Sequence, residues 1–200
     1  MTLAKAEALC VHMTNDVARS RFWVTNPVTK DLADLARLTE AMSGKKVLDI
    51  GCGYGPYAPD FIGAGLDYLG IDNSPEMIRE ARLAHPKADF QIMSMNRPAL
   101  RPESFDGIWS CCSLGFTPKK FLGTTLQQLR QLLTPKGVLV AVVPNCGISF
   151  DQTSEFDRIP FWRALFTPDE FRQLFRDAGF QVAGFWEDHD NMAMSLLAKK

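Results

Sequence analysis

The 200-residue sequence predicts an α/β protein built on a doubly wound, mostly parallel sheet. Three observations carry that expectation. Short apolar runs rich in Val and Ile alternate with helical patterns through the middle of the chain, a loop with three alternate glycines follows the first of those runs, and two further runs close the sequence on either side of a short polar turn. Parallel strands covered on both faces read as near-continuous apolar runs, and the helices between them supply the crossovers.

In chain order, the first forty residues read as two helices broken at "TNP", because Pro27 disfavours the helical region for Asn26. Strands are expected at 45–50 (KKVLDI), 66–71 (LDYLGI), 88–93 (ADFQIM), 105–112 (FDGIWSCC) and 137–143 (GVLVAVV). Ser74 is placed to cap a helix beginning at Pro75, Thr117 one beginning at Pro118, and Thr167 one beginning at Pro168 and stopping at Gly179. The runs "FQVAGFWE" and "MAMSLLAK", turned at "DHDN", then form an antiparallel pair at the sheet edge.

Composition narrows the function. A hydrophobic content of 46% supplies the core of one globular unit. With 22 basic against 23 acidic residues the net charge is −1, so no electrostatic footprint for nucleic acid or an anionic membrane stands out, and a small neutral or zwitterionic ligand fits better. No run reaches the ~18 consecutive apolar residues of a membrane span and the first twenty residues lack an apolar signal-peptide core, so a cytoplasmic protein is expected. Five cysteines, Cys10, Cys52, Cys111, Cys112 and Cys146, without paired zinc spacing point to reduced thiols and no metal site.

The glycine loop lies in "VLDIGCGYGPYAPDF", 47–61, where Gly51, Gly53 and Gly55 let the main chain turn tightly and let a ligand approach without a Cβ in the way. In a doubly wound sheet, ligands bind beyond the carboxyl ends of the strands where strand order reverses, and the first strand borders that crevice. A dinucleotide fingerprint G-x-G-x-x-G fails, because its third glycine falls on Pro56. A tight strand-to-helix connection is the plain alternative for the glycines. Asp72 tips the balance: it ends the second strand about 20 residues on, where a carboxylate accepts hydrogen bonds from two ribose hydroxyls. A helix-capping role for Asp72 competes with that reading, but Ser74 already supplies the cap.

The stretch "VLDIGCGYGPYAPDFIGAGLDYLGIDNSPEMIREAR", followed by "RPESFDGIWSCCSLGFTP", "LLTPKGVLVAVVP" and "FTPDEFRQLFRDAGFQV", resembles the class I S-adenosylmethionine-dependent methyltransferase family from Lys45 to the C-terminus. The resemblance implies a Rossmann-like seven-stranded sheet with an antiparallel last strand. It implies one methyltransferase domain over 1–200, with helices in 1–44 covering the active site and the cofactor-binding core in 45–200. It also implies methyl transfer from S-adenosylmethionine to a small-molecule acceptor, with S-adenosylhomocysteine as product. Asp49, Gly51, Cys52, Gly53 and Gly55 would face the methionine half of the cofactor, and Asp72 would hold the ribose. Asn73 and Met77 would lie near the adenine, Ser94 and Met95 around its edge, and Cys111 would give main-chain contacts near the methionine moiety.

The sequence departs from the family pattern twice. Many relatives carry an aspartate after the third strand that accepts the adenine amino group, and here Ser94-Met95-Asn96 stands there, with Asn96 as a substitute. The fourth-strand motif often ends in histidine, and here it ends in Phe116, so no general base is assigned. Because a sulfonium is already an activated donor, an amine, thiolate or carboxylate acceptor is favoured over an alcohol, which keeps its proton at neutral pH. Phe22 and Trp23 next to Arg21, Phe116, and Arg158, Phe161, Trp162 and Arg163 are candidates to enclose an apolar acceptor and clamp a carboxylate on it. Sealing of hydrophobic seams is the competing role for the aromatics. Neither His12 nor His189 is taken as a base. Strand alternation would point Cys111 and Cys112 apart, as ordinary buried cysteines. A catalytically silent S-adenosylmethionine-binding module is the alternative function, a nicotinamide-dependent oxidoreductase is disfavoured by Pro56, and a monomer or homodimer is expected.

Overall fold

The computed structural model describes residues 1–20, 32–156, 158–188 and 192–200. The break expected at "TNP" lies outside the described residues, as do Arg21, Phe22, Trp23 and His189.

All seven expected strands form, and they pair into one sheet. In chain order they are β1 (Lys46–Ile50), β2 (Asp67–Asp72), β3 (Asp89–Ile92), β4 (Phe105–Cys111), β5 (Leu133–Pro144), β8 (Gln181–Asp188) and β9 (Ala193–Lys199). The sheet order is β3-β2-β1-β4-β5-β9-β8, with β9 antiparallel to both β5 and β8 and the other pairs parallel. Chain order reverses between β1 and β4, which opens a crevice beyond the C-terminal ends of those strands.

Alternation along the strands divides the core into two layers. Leu48, Ile50, Ile108 and Leu139 face one side, against Leu122 and Leu126 of α5 (Lys119–Leu132) and Phe171 and Phe175 of α6 (Pro168–Asp177). Val47, Trp109 and Val140 face the other, against α2 (Leu32–Ala41), α3 (Ala58–Gly63) and α4 (Pro75–Ala84). Such fully buried side chains each contribute about 1.5–3 kcal/mol over leaving them exposed. Among the described residues no helix is long and apolar enough to cross a membrane.

Two of the three expected caps hold. Ser74 Oγ accepts from Met77 N, and Thr167 forms a reciprocal capping box with Glu170. Thr117 does not cap: Pro118 occupies the cap position, and the Thr117 hydroxyl donates 2.8 Å to Asn96 Oδ1 instead. A further departure is a hairpin, β6 (Phe150–Phe156) with β7 (Ile159–Leu165), where no strand is expected from the sequence. It carries Phe161 and Trp162, which pack with Ala6, Cys10 and Met13 of α1 (Leu3–Ser20). That contact lays α1 over the crevice end of the sheet. Cys10 Sγ reinforces it, 3.5 Å from Trp162 O and 3.7 Å from Phe116 O, while Ser74 Oγ donates to Asn15 Oδ1 at 2.6 Å.

Candidate active site

The three loop glycines meet three different demands. Gly51 has φ +65°, and a Cβ there would stand 2.4 Å from Ser113 Cβ, so the chain can pass Ser113 only as glycine. Gly55 has φ +75° and packs under Phe90, whose Cζ would lie 2.7 Å from an added Cβ. Gly53 has φ +55°, and no protein atom lies within 4 Å of where its Cβ would be. Its open side faces the crevice, which is the approach a ligand needs.

Asp72, 9% exposed, ends β2 at the floor of the crevice. Its Oδ2 accepts from Gly53 N at 3.0 Å and its Oδ1 from Ser74 N at 2.8 Å. Burial pushes this carboxyl above its usual range, and the two amide donors oppose that shift. A carboxylate offers about four acceptor sites, so each oxygen keeps one free. Nearby, Asp49 is fully buried in β1 and accepts from Tyr68 Oη at 2.8 Å. Burial raises it to about 7, the Tyr68 bond opposing the rise and the Asp72 charge adding to it.

Two chambers meet over this floor, sharing Thr14, Gly51, Asp72, Cys111, Cys112 and Phe116 as their common wall. The larger, about 450 Å³, is reached by Asp49, Cys52, Gly53 and Met77 on one side and by Phe156, Phe161 and Arg163 on the other. The smaller, about 160 Å³, is closed by Glu7, Cys10, Asn73, Met93, Met95 and Asn96. Together they fall within the ~300–1,000 Å³ of small-molecule sites. Among the described residues, no group of His, Cys, Asp and Glu is placed to hold a metal ion.

A family model described as a methyltransferase domain matches residues 24–183. The chain belongs to the class I S-adenosylmethionine-dependent methyltransferases. A ubiquinone biosynthesis O-methyltransferase of Xanthomonas campestris is 31% identical to this chain over 119 residues, covering 57% of the chain and 48% of the relative. A magnesium-protoporphyrin O-methyltransferase of Rhodobacter capsulatus is 30% identical over 116 residues, 56% and 50% of the two chains. The chain spans about half the length of the curated relatives it matches. Among solved structures, 1,6-didemethyltoxoflavin-N1-methyltransferase of Burkholderia thailandensis superposes with a TM-score of 0.83 at 18% identity, covering 100% of this chain and 91% of that one. A TehB-like methyltransferase of Corynebacterium glutamicum gives 0.68 at 22% identity, covering 94% and 98%. At these identities the structural likeness is one of fold.

The structure gathers most of the expected cofactor residues at the two chambers and moves a few elsewhere. Asp49, Gly51, Cys52, Gly53, Asp72, Met77 and Cys111 line the larger one, Asn73 and Met95 the smaller. Gly55 lines neither, consistent with its packing against Phe90. Ser94 stands behind the smaller chamber, its hydroxyl given to Glu7. Asn96 Oδ1 accepts from Thr117 Oγ1 (2.8 Å) and lies 2.9 Å from Thr125 Oγ1, so hydroxyls from within the protein face its carbonyl.

Of the acceptor candidates, Phe116 lines both chambers. Arg158 and Trp162 line neither. Arg158 sits exposed at the hairpin turn with φ +65°, and buried Trp162 turns its Nε1 to Asp151 Oδ1 at 2.9 Å. Arg163 and Phe161 reach the larger chamber in their place. His12 lies on the exposed side of α1 beside Asp16, away from both chambers.

The cysteine pair also departs from expectation. β4 ends at Cys111 and Cys112 has φ +55°, so strand alternation stops and both side chains border the chambers. Cys112 is exposed. A hydrogen bond between the two free thiols, with burial, raises Cys111 well above the ordinary thiol range; the same hydrogen bond lowers Cys112 against its burial, and the Arg163 charge also favours the Cys112 thiolate.

The residue that sequence reasoning missed is Glu7. It comes from α1, and its only sequence trace is its place beside the Ala6, Cys10 and Met13 stripe that buries this helix.

Proposed function

We propose that this methyltransferase moves a methyl group from S-adenosylmethionine to a small, largely apolar acceptor held in the 450 Å³ chamber. The observation that carries the reading is Asp72: a buried carboxylate with one free acceptor site on each oxygen, standing at the junction of two chambers beneath the open side of Gly53. A ribose diol needs two such sites, and the flanking chambers leave room for a purine on one side and a methionine moiety on the other. The Burkholderia enzyme, solved with S-adenosylhomocysteine and 1,6-didemethyltoxoflavin bound, supports a cofactor and a small acceptor side by side.

Bound there, the cofactor supplies a methyl group already activated on a sulfonium. The protein then mainly has to align the acceptor atom and exclude water. Phe116, Phe156 and Phe161 give the chamber an apolar wall, and α1 roofs it through Met13 and Val17. Arg163, half-buried on β7, is placed to hold an anionic group of the acceptor. No histidine lines either chamber among the described residues, while Asp49, raised to about 7, and Cys112 line the larger one.

Thermal melting tests the cofactor reading. S-adenosylhomocysteine at roughly a hundred times its dissociation constant should add about 2.7 kcal/mol. That raises the melting temperature by roughly 5–10 °C for a chain of this size. NAD should leave it unchanged. A shift with NAD and none with either adenosyl compound would sink the proposal.

A further inference from the structure

We propose that Glu7, delivered by α1, accepts the exocyclic amino group of the cofactor's adenine and makes this enzyme select a 6-amino purine over its 6-oxo counterpart. The inference rests on the cofactor reading above and concerns only the far end of the smaller chamber.

With the ribose held at Asp72, the base lies in the chamber bordered by Asn73, Met93 and Met95, where thioethers offer soft, polarisable surfaces to a flat ring. An amino group at its far end needs an acceptor, and the chemistry of the lining leaves few. Asn96 Oδ1 accepts from the Thr117 hydroxyl at 2.8 Å and lies 2.9 Å from Thr125 Oγ1, whose one proton is shared with Phe121 O at 3.1 Å. The Asn96 amide nitrogen is a donor, and it donates to Glu7 Oε1 at 3.1 Å. Ser94 Oγ gives its proton to the same Glu7 oxygen and accepts from Asn96 N at 3.1 Å.

Glu7 therefore stands at the focus of the polar groups here. Its side chain is 12% exposed, Oε1 takes two hydrogen bonds, and Oε2 takes one from Arg97 Nη2 at 2.9 Å. A carboxylate accepts about four, so Oε2 retains one acceptor position. Three donors fix the carboxylate and no acceptor competes with it, which makes the remaining position a strong, charge-assisted partner for an N–H. A base presenting a carbonyl oxygen at that point would set acceptor against acceptor beside a carboxylate that is 12% exposed. The carboxylate repels that carbonyl while it attracts an amino group, so the two bases are told apart at this point. Since α1 carries Glu7 and is pinned through Cys10 and Asn15, purine recognition and helix docking depend on each other.

The test compares S-adenosylhomocysteine with S-inosylhomocysteine, its 6-oxo counterpart, by titration calorimetry on the full chain and on Glu7→Gln. In Glu7→Gln the side-chain oxygen still accepts from Ser94 and Asn96, while its NH₂ group puts a donor where the carboxylate oxygen stood. The wild type is expected to prefer the adenosyl compound by about a hundredfold or more. In the variant the preference should fall to within a few fold. A merely structural role for Glu7 would weaken both ligands together and leave their ratio unchanged, and that result overturns the proposal. So does a wild type that binds both compounds equally, a measurement independent of whether the variant folds. A wild type that binds neither removes the cofactor reading itself, and this inference with it.

Discussion

Asp72→Ala is expected to weaken S-adenosylhomocysteine binding by a hundredfold or more. Two hydrogen bonds from the ribose diol to a charged group are worth about 1.5–3 kcal/mol each, and the lower figure for both already gives roughly that ratio. The structure adds a second effect. Asp72 also holds Gly53 N and Ser74 N, so alanine leaves two amides of the loop and the helix entry without partners, at a cost of about 1–3 kcal/mol for each one left buried. For the same reason Asp72→Asn is less conservative than its shape suggests. Each carboxylate oxygen faces an N–H, so whichever becomes NH₂ sets donor against donor. Its affinity loss should therefore exceed the tenfold expected from losing one acceptor alone. Calorimetry and thermal melting on both variants separate the two effects. A lowered melting temperature with unchanged affinity in Asp72→Ala would leave Asp72 as a structural brace and refute the ribose contact.

What the sequence made legible was whatever depends on near neighbours. The parallel strands stand out as short, mostly apolar runs, most clearly at β5 and least at β3, where only Phe90 is buried. Ser74 and Thr167 could be read as caps because their partners, Met77 and Glu170, lie three residues on. Thr117 has the same local signature and a different fate: its hydroxyl turns to Asn96, which the fold brings in from the end of β3. β6 left no apolar run to find, since it is half-exposed or exposed along its whole length, and the mostly apolar β7 is broken by Pro160 and Arg163. Its register is also what puts Arg163 rather than Trp162 into the chamber. For Cys111 and Cys112, alternation ends with the strand at Cys111, because Cys112 has φ +55°. Glu7 meets Ser94 across 87 residues of chain, and no pattern within α1 encodes that meeting.

The stability of the ligand-free protein is expected to fall as pH rises from about 5 to about 8, and Asp49→Asn should remove much of that slope. Asp49 is fully buried in β1, and burial lifts its carboxyl from the ordinary 3.8 to about 7. The folded state therefore holds a proton that the unfolded chain has already released. The resulting stabilisation is complete below about pH 4 and is lost as pH rises through about 7. The distance between those two values sets a ceiling of roughly 4 kcal/mol at 1.36 kcal/mol per pH unit. Asparagine keeps an acceptor for Tyr68 Oη and carries no charge to desolvate. Relative to the wild type, Asp49→Asn should gain stability between pH 5 and pH 8, by up to roughly 5–10 °C in melting temperature for a chain of this size. Asp72, raised in the same direction by burial, adds to the slope that remains. If the cationic methionine end of the cofactor sits against Asp49, ligand favours the anion, and melts of the liganded wild type should be flatter with pH than those of the free protein. A difference between variant and wild type that is the same at pH 5 and pH 8 would show that Asp49 stays ionised in the fold, with its charge matched by a partner other than Tyr68.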